Sequence, residues 1–181
     1  AEEHRLNESH ETVPDDFYGI SKLTGEHMTR VWAKRVGMRY KIMRLFNVYG
    51  PGDPHQHVIP EIIRQVKLGE TKIKLGNLKP KRDFIFVGDV VDAMMCFLER
   101  VDLTTTVNVG TGIAYSPSDL VEAVGSVVGE RLECITTKEK SRKHDPPCLM
   151  ADILRMSVQF GWQPKVPMSK GLRQLLEYET V

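Results

Sequence analysis

The chain has 181 residues, 41% hydrophobic and 27% charged, with 14 Gly and 10 Pro. This is globular usage and excludes fibrous and disordered classes. One domain is expected, able to bury roughly 70% of its unfolded surface without disulfides or a structural metal. The 25 Lys and Arg against 24 Asp and Glu leave a net charge of +1. No broad field points to nucleic acid or to an acidic membrane surface, so an anionic ligand must be held by local charges. Cys96, Cys134 and Cys148 form no CxxC pattern and are odd in number, which fits a reducing, cytoplasmic setting. The stretch from Ala1 to Asp16 is polar and lacks an apolar h-region, and the densest apolar run, Val90 to Leu98, is broken by Asp92. Neither secretion nor membrane spanning is predicted.

From Asp16 to Val36 the apolar residues Phe17, Ile20, Leu23, Met28, Val31 and Trp32 recur at helical spacing, with Gly37 placed as a C-cap. Arg39 to Leu45 reads as a short strand, and Asn47 to His57, rich in Gly and Pro, as a loop. Val58 to Leu68 is again helical. Strands follow at Thr71 to Leu75 and Asp83 to Val87, separated by the basic turn Gly76 to Arg82. The next helix, Asp89 to Arg100, begins with an acidic residue suited to an N-cap. Thr106 to Val109 is a strand, Ser116 or Ser118 caps a helix running to Val128, and Leu132 to Thr136 is a strand. Helices at Asp152 to Phe160 and Met168 to Glu179 complete the chain. Alternating strands and helices give an α/β class. A self-contained doubly wound domain opens with a strand and a Gly-rich turn, whereas a helix comes first here, so the chain reads as starting inside a fold.

Tyr18 and Lys22, four positions apart on the first helix, project from one face. Such a pair arises by chance in about a third of chains this long, and an aromatic stem beside a solvated lysine is the bland interpretation. The chemical one is that the ammonium stabilises a phenolate, drawing the tyrosine from its usual pKa of about 10 toward working pH so that it can exchange a proton with a substrate hydroxyl.

Context separates the two. Tyr18-Gly19-Ile20-Ser21-Lys22-Leu23-Thr24-Gly25-Glu26 is followed by Arg44-Leu45-Phe46-Asn47-Val48-Tyr49-Gly50-Pro51-Gly52, by Val58-Ile59-Pro60, by Arg82-Asp83-Phe84 with Val87 and Asp89, and by Gly161-Trp162-Gln163-Pro164. In this order the chain resembles the NAD-dependent sugar-nucleotide epimerase/dehydratase family of extended short-chain dehydrogenase/reductases. The resemblance implies the C-terminal part of an extended Rossmann-type, doubly wound α/β fold plus its smaller mixed α/β substrate-binding region. Residues 1–181 would then be one module, with the N-terminal dinucleotide-binding half absent. It also implies that Tyr18 is the acid/base at a sugar hydroxyl and that Lys22 grips the nicotinamide ribose of NAD, or of NADP. Phe46 would pack near the nicotinamide. Asn47, Arg82, Arg142 and Asp145 would hold the diphosphate and ribose of a nucleoside diphosphate sugar, and Val58 and Leu75 would line the nucleoside pocket. Gly76-Asn77-Leu78 before Lys81-Arg82-Asp83 resembles the guanosine-diphosphate-sugar members, with the base left open.

Arg82 also suits a solvated basic turn, and Arg142, beside Lys143 and His144, a mobile basic loop. Gly110-Thr111-Gly112 follows a strand, but the third glycine of a dinucleotide fingerprint would fall at Tyr115 and no acidic ribose selector follows. His55, His57, His144 and Cys148 lack compact ligand spacing, so no metal is expected; the first two suit a loop over the sugar pocket. The fingerprint, the ribose selector and the Ser/Thr partner of the tyrosine are all missing from one contiguous region, the pattern of a chain cut from a longer enzyme. A catalytically inactive nucleotide-sugar-binding module is the alternative. The first helix carries more apolar surface than one packing face needs, which predicts a homodimer, although Trp32 could instead reach the core.

Overall fold

A computed structural model describes residues 5–53, 57–137 and 146–178. Helix α1 (Phe17–Val36) starts where the Asp16 side chain accepts the Gly19 amide at 2.6 Å and stops at Gly37, whose φ of 70° closes the last turn. Strand β1 (Lys41–Leu45) runs through Phe46 into β2 (Asn47–Tyr49). The loop expected from Asn47 therefore begins three residues later. Asn47 to Tyr49 is held extended because it pairs in parallel with Phe84 to Phe86, a partner 37 residues away that local turn chemistry does not reveal.

Helix α2 (Val58–Lys67), β3 (Lys72–Leu75), β4 (Lys81–Phe86) and α3 (Val87–Glu99) follow. Then come β5 (Thr105–Val109), β6 (Ala114–Tyr115), α4 (Pro117–Val128), β7 (Glu133–Thr136), β8 (Cys148–Leu149), α5 (Leu154–Phe160) and α6 (Met168–Tyr178). Of the two serines offered as the cap of α4, Ser116 is used, in a reciprocal capping box with Asp119. Asp89 is not the N-cap of α3. The strand passes directly into the helix at Phe86, and the buried Asp89 carboxylate accepts the backbone amides of Lys165 at 3.1 Å and Val166 at 3.0 Å. It thus ties the Trp162 to Val166 segment to the helix.

β5 pairs in parallel with β1, and β2 with β4, so the β1–β2 strand changes partner at Phe46. The first half of β4 is flanked by antiparallel β6 and parallel β8, and β3 pairs with β7. Strand β4 divides the interior. Phe84 and Phe86 enter one core with α2, α4 and α6, built on Ile59, Ile62, Leu120, Val124 and Leu172. Ile85, pointing the other way as the pleat requires, enters a second core with Val90, Phe97, Val107, Val109, Met156 and Trp162.

The fully buried Asp83 locks these layers together. Its carboxylate accepts the Thr111 amide at 2.8 Å, the Thr111 hydroxyl at 2.6 Å, the Gly112 amide at 2.8 Å and the Ala151 amide at 3.1 Å. Gly110 is required beside it, since a Cβ there would stand 2.8 Å from an Asp83 oxygen and 2.6 Å from the Ala151 Cβ. Asp83→Ala leaves these donors without their acceptor, and the expected loss is about 3 kcal/mol or more. A lowered urea midpoint at unchanged slope would show it; a loss below about 1 kcal/mol would mean that the carboxylate is dispensable.

Candidate active site

Alternation along β1 and β5 decides what faces α1. Lys41, Met43, Val107 and Val109 are on the side of α3 and the second core: the Lys41 ammonium binds the Phe97 and Arg100 carbonyls, and Met43 packs with Val107 and Val109. Ile42, Arg44, Thr106 and Asn108 are on the other side, and α1 lies there. Its attachment is polar, because Ala33 alone among the residues of α1 is buried. The Glu26 carboxylate, 14% exposed, accepts both Nε and Nη2 of Arg44 at 2.7 and 2.8 Å and Nη2 of Arg30 at 2.8 Å. Arg30 also donates to the Thr106 hydroxyl at 3.1 Å. The Arg44 hydrogen bonds outweigh the opposing cost of burial and hold the Glu26 carboxyl below its ordinary range.

These ties set the height of α1 on the strand. Arg30 stands four residues after Glu26, while Thr106 is in register with Ile42, two residues before Arg44. Each step covers about 6 Å, so α1 runs antiparallel to β1. Counting the other way, Lys22 lies about 6 Å from Glu26 along the helix, level with Phe46, and Tyr18 about 12 Å, between the levels of Asn47 and Val48. The Tyr18–Lys22 end of α1 thus lies toward the C-terminal end of β1, where Phe46 and Asn47 follow and where open α/β sheets bind ligands. The Tyr18 ring is 70% exposed, with the Lys22 ammonium 5.1 Å from its centroid. Phe46 is half-buried, its amide bonded to the Val109 carbonyl, and Asn47 is exposed.

The remaining candidates divide. The Arg82 guanidinium donates to the carbonyls of Lys81 at 2.7 Å and Pro146 at 2.8 Å. It therefore meets the chain directly after Asp145; Arg142, His144 and Asp145 lie outside the described residues, as does His55. Leu75 is buried in the first core and Val58 packs against it. His57 heads α2, with its Nδ1 2.8 Å from an Asp53 carboxylate oxygen, and both border an open cleft of about 260 Å³ with Tyr49 and Val87. Burial pushes the Tyr49 phenol well above its usual range.

Sequence reasoning did not single out Glu26, Asp83 or Asp89 for these duties, although all three stand inside the motifs that carry the family resemblance. Gly110-Thr111-Gly112 does cradle an oxyanion with successive amides, and that anion is the chain's own Asp83. No group of three or more His, Cys, Asp and Glu placed to hold a metal occurs among the described residues, and no described helix is long and apolar enough to cross a membrane.

Comparison with known proteins gives a consistent picture. A GDP-L-fucose synthase of Sinorhizobium fredii is 30% identical over 174 residues, covering 90% of this chain and 54% of its own length. The UDP-glucose 4-epimerase of Thermus thermophilus, solved with NAD, superposes with a TM-score of 0.83 at 28% identity, covering 98% of this chain and 58% of that one. The UDP-glucose 4-epimerase of Thermotoga maritima, solved with UDP-glucose, gives 0.81 at 29% identity over 90% of this chain and 53% of that one. The chain spans about half the length of the curated relatives it matches. The family model described as the NAD dependent epimerase/dehydratase family matches residues 1–110, a stretch that holds α1, the β1–β2 strand and Arg82-Asp83, and the chain belongs to that family.

Proposed function

We propose that the protein carrying this chain is a nicotinamide-dependent epimerase or dehydratase of a nucleoside diphosphate sugar. The observation that supports this best is the register of α1, antiparallel to β1, which turns its Tyr18–Lys22 end toward Phe46 and Asn47. Bound NAD or NADP would supply the hydride acceptor at the sugar carbon and return the hydride later. The described residues suit only the nicotinamide end of that cofactor, because the glycine-flanked amide cradle among them is already filled by Asp83. Lys22 holds the nicotinamide ribose and stabilises the Tyr18 phenolate. Tyr18 takes the proton of the sugar hydroxyl as the C–H bond breaks, and gives it back when the carbonyl is reduced. Asn47 and Arg82, with Arg142 and Asp145, hold the diphosphate and ribose, the guanidinium matching phosphate geometry.

In the full-length protein, assayed with UDP-glucose and GDP-mannose, Tyr18→Phe should lower turnover by about 10² or more with the fold intact. Unchanged turnover refutes the acid/base role. Arg82→Ala should weaken binding of the active sugar nucleotide about tenfold or more by calorimetry, as expected for a lost charge-assisted bond; equal affinity removes Arg82 from the diphosphate site.

The protein is further proposed to be a homodimer through α1. The side of this helix away from the sheet carries Phe17, Met28, Val31 and Trp32 at 92, 67, 68 and 61% exposure. Trp32 therefore does not reach the core. Sedimentation of the full-length protein at micromolar concentration should give a dimer that Val31→Glu dissociates, and a monomeric wild type would eliminate this interface.

A further inference from the structure

Helix α1 carries the reacting pair but has little apolar packing to hold it, since its sheet-facing side is Gly19, Leu23, Glu26, Arg30 and Ala33, of which Ala33 alone is fully buried. Apolar contact tolerates sliding, whereas a planar guanidinium gripping a carboxylate through two parallel bonds fixes position and angle. The Arg44 end of that grip is itself braced. Arg44 also donates to the Glu8 carbonyl at 3.3 Å, and the Glu8 carboxylate, almost fully buried, accepts the Asn108 amide at 2.8 Å and stands 3.3 Å from Arg155 Nε. The grip therefore reaches from α1 through β1 and the segment before α1 to β5 and α5.

We propose that Glu26 is a positioning residue for the reaction: through Arg44 it sets the axial register of α1, and so places the Tyr18 hydroxyl and the Lys22 ammonium beside Phe46 and Asn47. The inference rests on the reading of Tyr18 as the acid/base. Glu26 does not touch the reacting atoms; it acts eight residues away along one side of the helix. A slip of one residue would shift Tyr18 by about 1.5 Å and turn it by about 100°, and a displacement of about 1 Å can cost about 10² in rate.

The test is a double-mutant cycle in the full-length protein, with whichever of UDP-glucose and GDP-mannose is turned over. Glu26→Gln should lower kcat about tenfold to a hundredfold and leave KM within about twofold, because the substrate contacts are made elsewhere. Arg44→Lys, which keeps the charge but loses the fork, should fall between wild type and Glu26→Gln. In the Tyr18→Phe background the Glu26→Gln change should cost less than about twofold, since the group that it positions is already gone. A purely structural role would lower the rate by the same factor in both backgrounds. That equality, or wild-type kcat in both Glu26→Gln and Arg44→Lys, overturns the proposal. If Glu26→Gln does not fold, Arg44→Lys carries the same cycle. Full turnover by Tyr18→Phe defeats the catalytic reading itself, whereas a slow Tyr18→Phe with a fully active Glu26→Gln defeats only the positioning role.

Discussion

The buried carboxylate of Asp83 is the contact on which the rest of this structure hangs. A charge without exposure to water is tolerated only when donors surround it. Here four donors come from the turn after β5 and from the start of the segment after β8, while Asp83 itself is in the strand that separates the two cores. The carboxylate is thus a junction for three segments distant in sequence. Its neighbour Arg82 is paired on both sides, with Tyr115 of β6 and Leu149 of β8, and its guanidinium meets Pro146. Asp89 repeats the device one element later, with the amides of Lys165 and Val166. Both carboxylates do work that backbone pairing would do in a larger sheet.

Helix α1 inverts the usual arrangement of an amphipathic helix. Its ion pairs face the sheet and its large apolar side chains face outward. The energetic sense of this is that the polar side is satisfied partner by partner, through Arg44, Arg30 and Thr106, while the apolar side stays exposed. Apolar periodicity marks the two sides of such a helix without saying which of them is inward. A stripe of Phe17, Met28, Val31 and Trp32 reads equally well as core or as interface.

Much of the candidate site was legible because motif order carries more information than any single residue. Tyr18, Lys22, Phe46, Asn47 and Arg82 are in the matched motifs, and α1, antiparallel to β1, turns its Tyr18–Lys22 end toward Phe46 and Asn47. Leu75 and Val58 were less legible as pocket residues, since a residue type that suits a nucleoside slot also suits a core, and the structure packs both in the first core. Glu26 went unremarked for a related reason. A glutamate on a helix is solvated by default, and only its partner 18 positions away on the next strand makes it otherwise.

From the amino-acid order alone came the α/β class, the family resemblance and nearly every helix and strand of more than two residues. Capping at Gly37, apolar periodicity and β-branched runs are local properties, readable within a few residues. The tertiary structure decided what depends on partners far along the chain. Asn47 to Tyr49 became a strand because β4 offered its amides and carbonyls. Asp89 gave up its capping role to distant donors, and Gly110-Thr111-Gly112 bound a carboxylate from within the chain. Hydrogen bonds between segments 28 to 77 residues apart leave no periodic trace in sequence, because each needs only one donor and one acceptor that the fold happens to bring within about 3 Å.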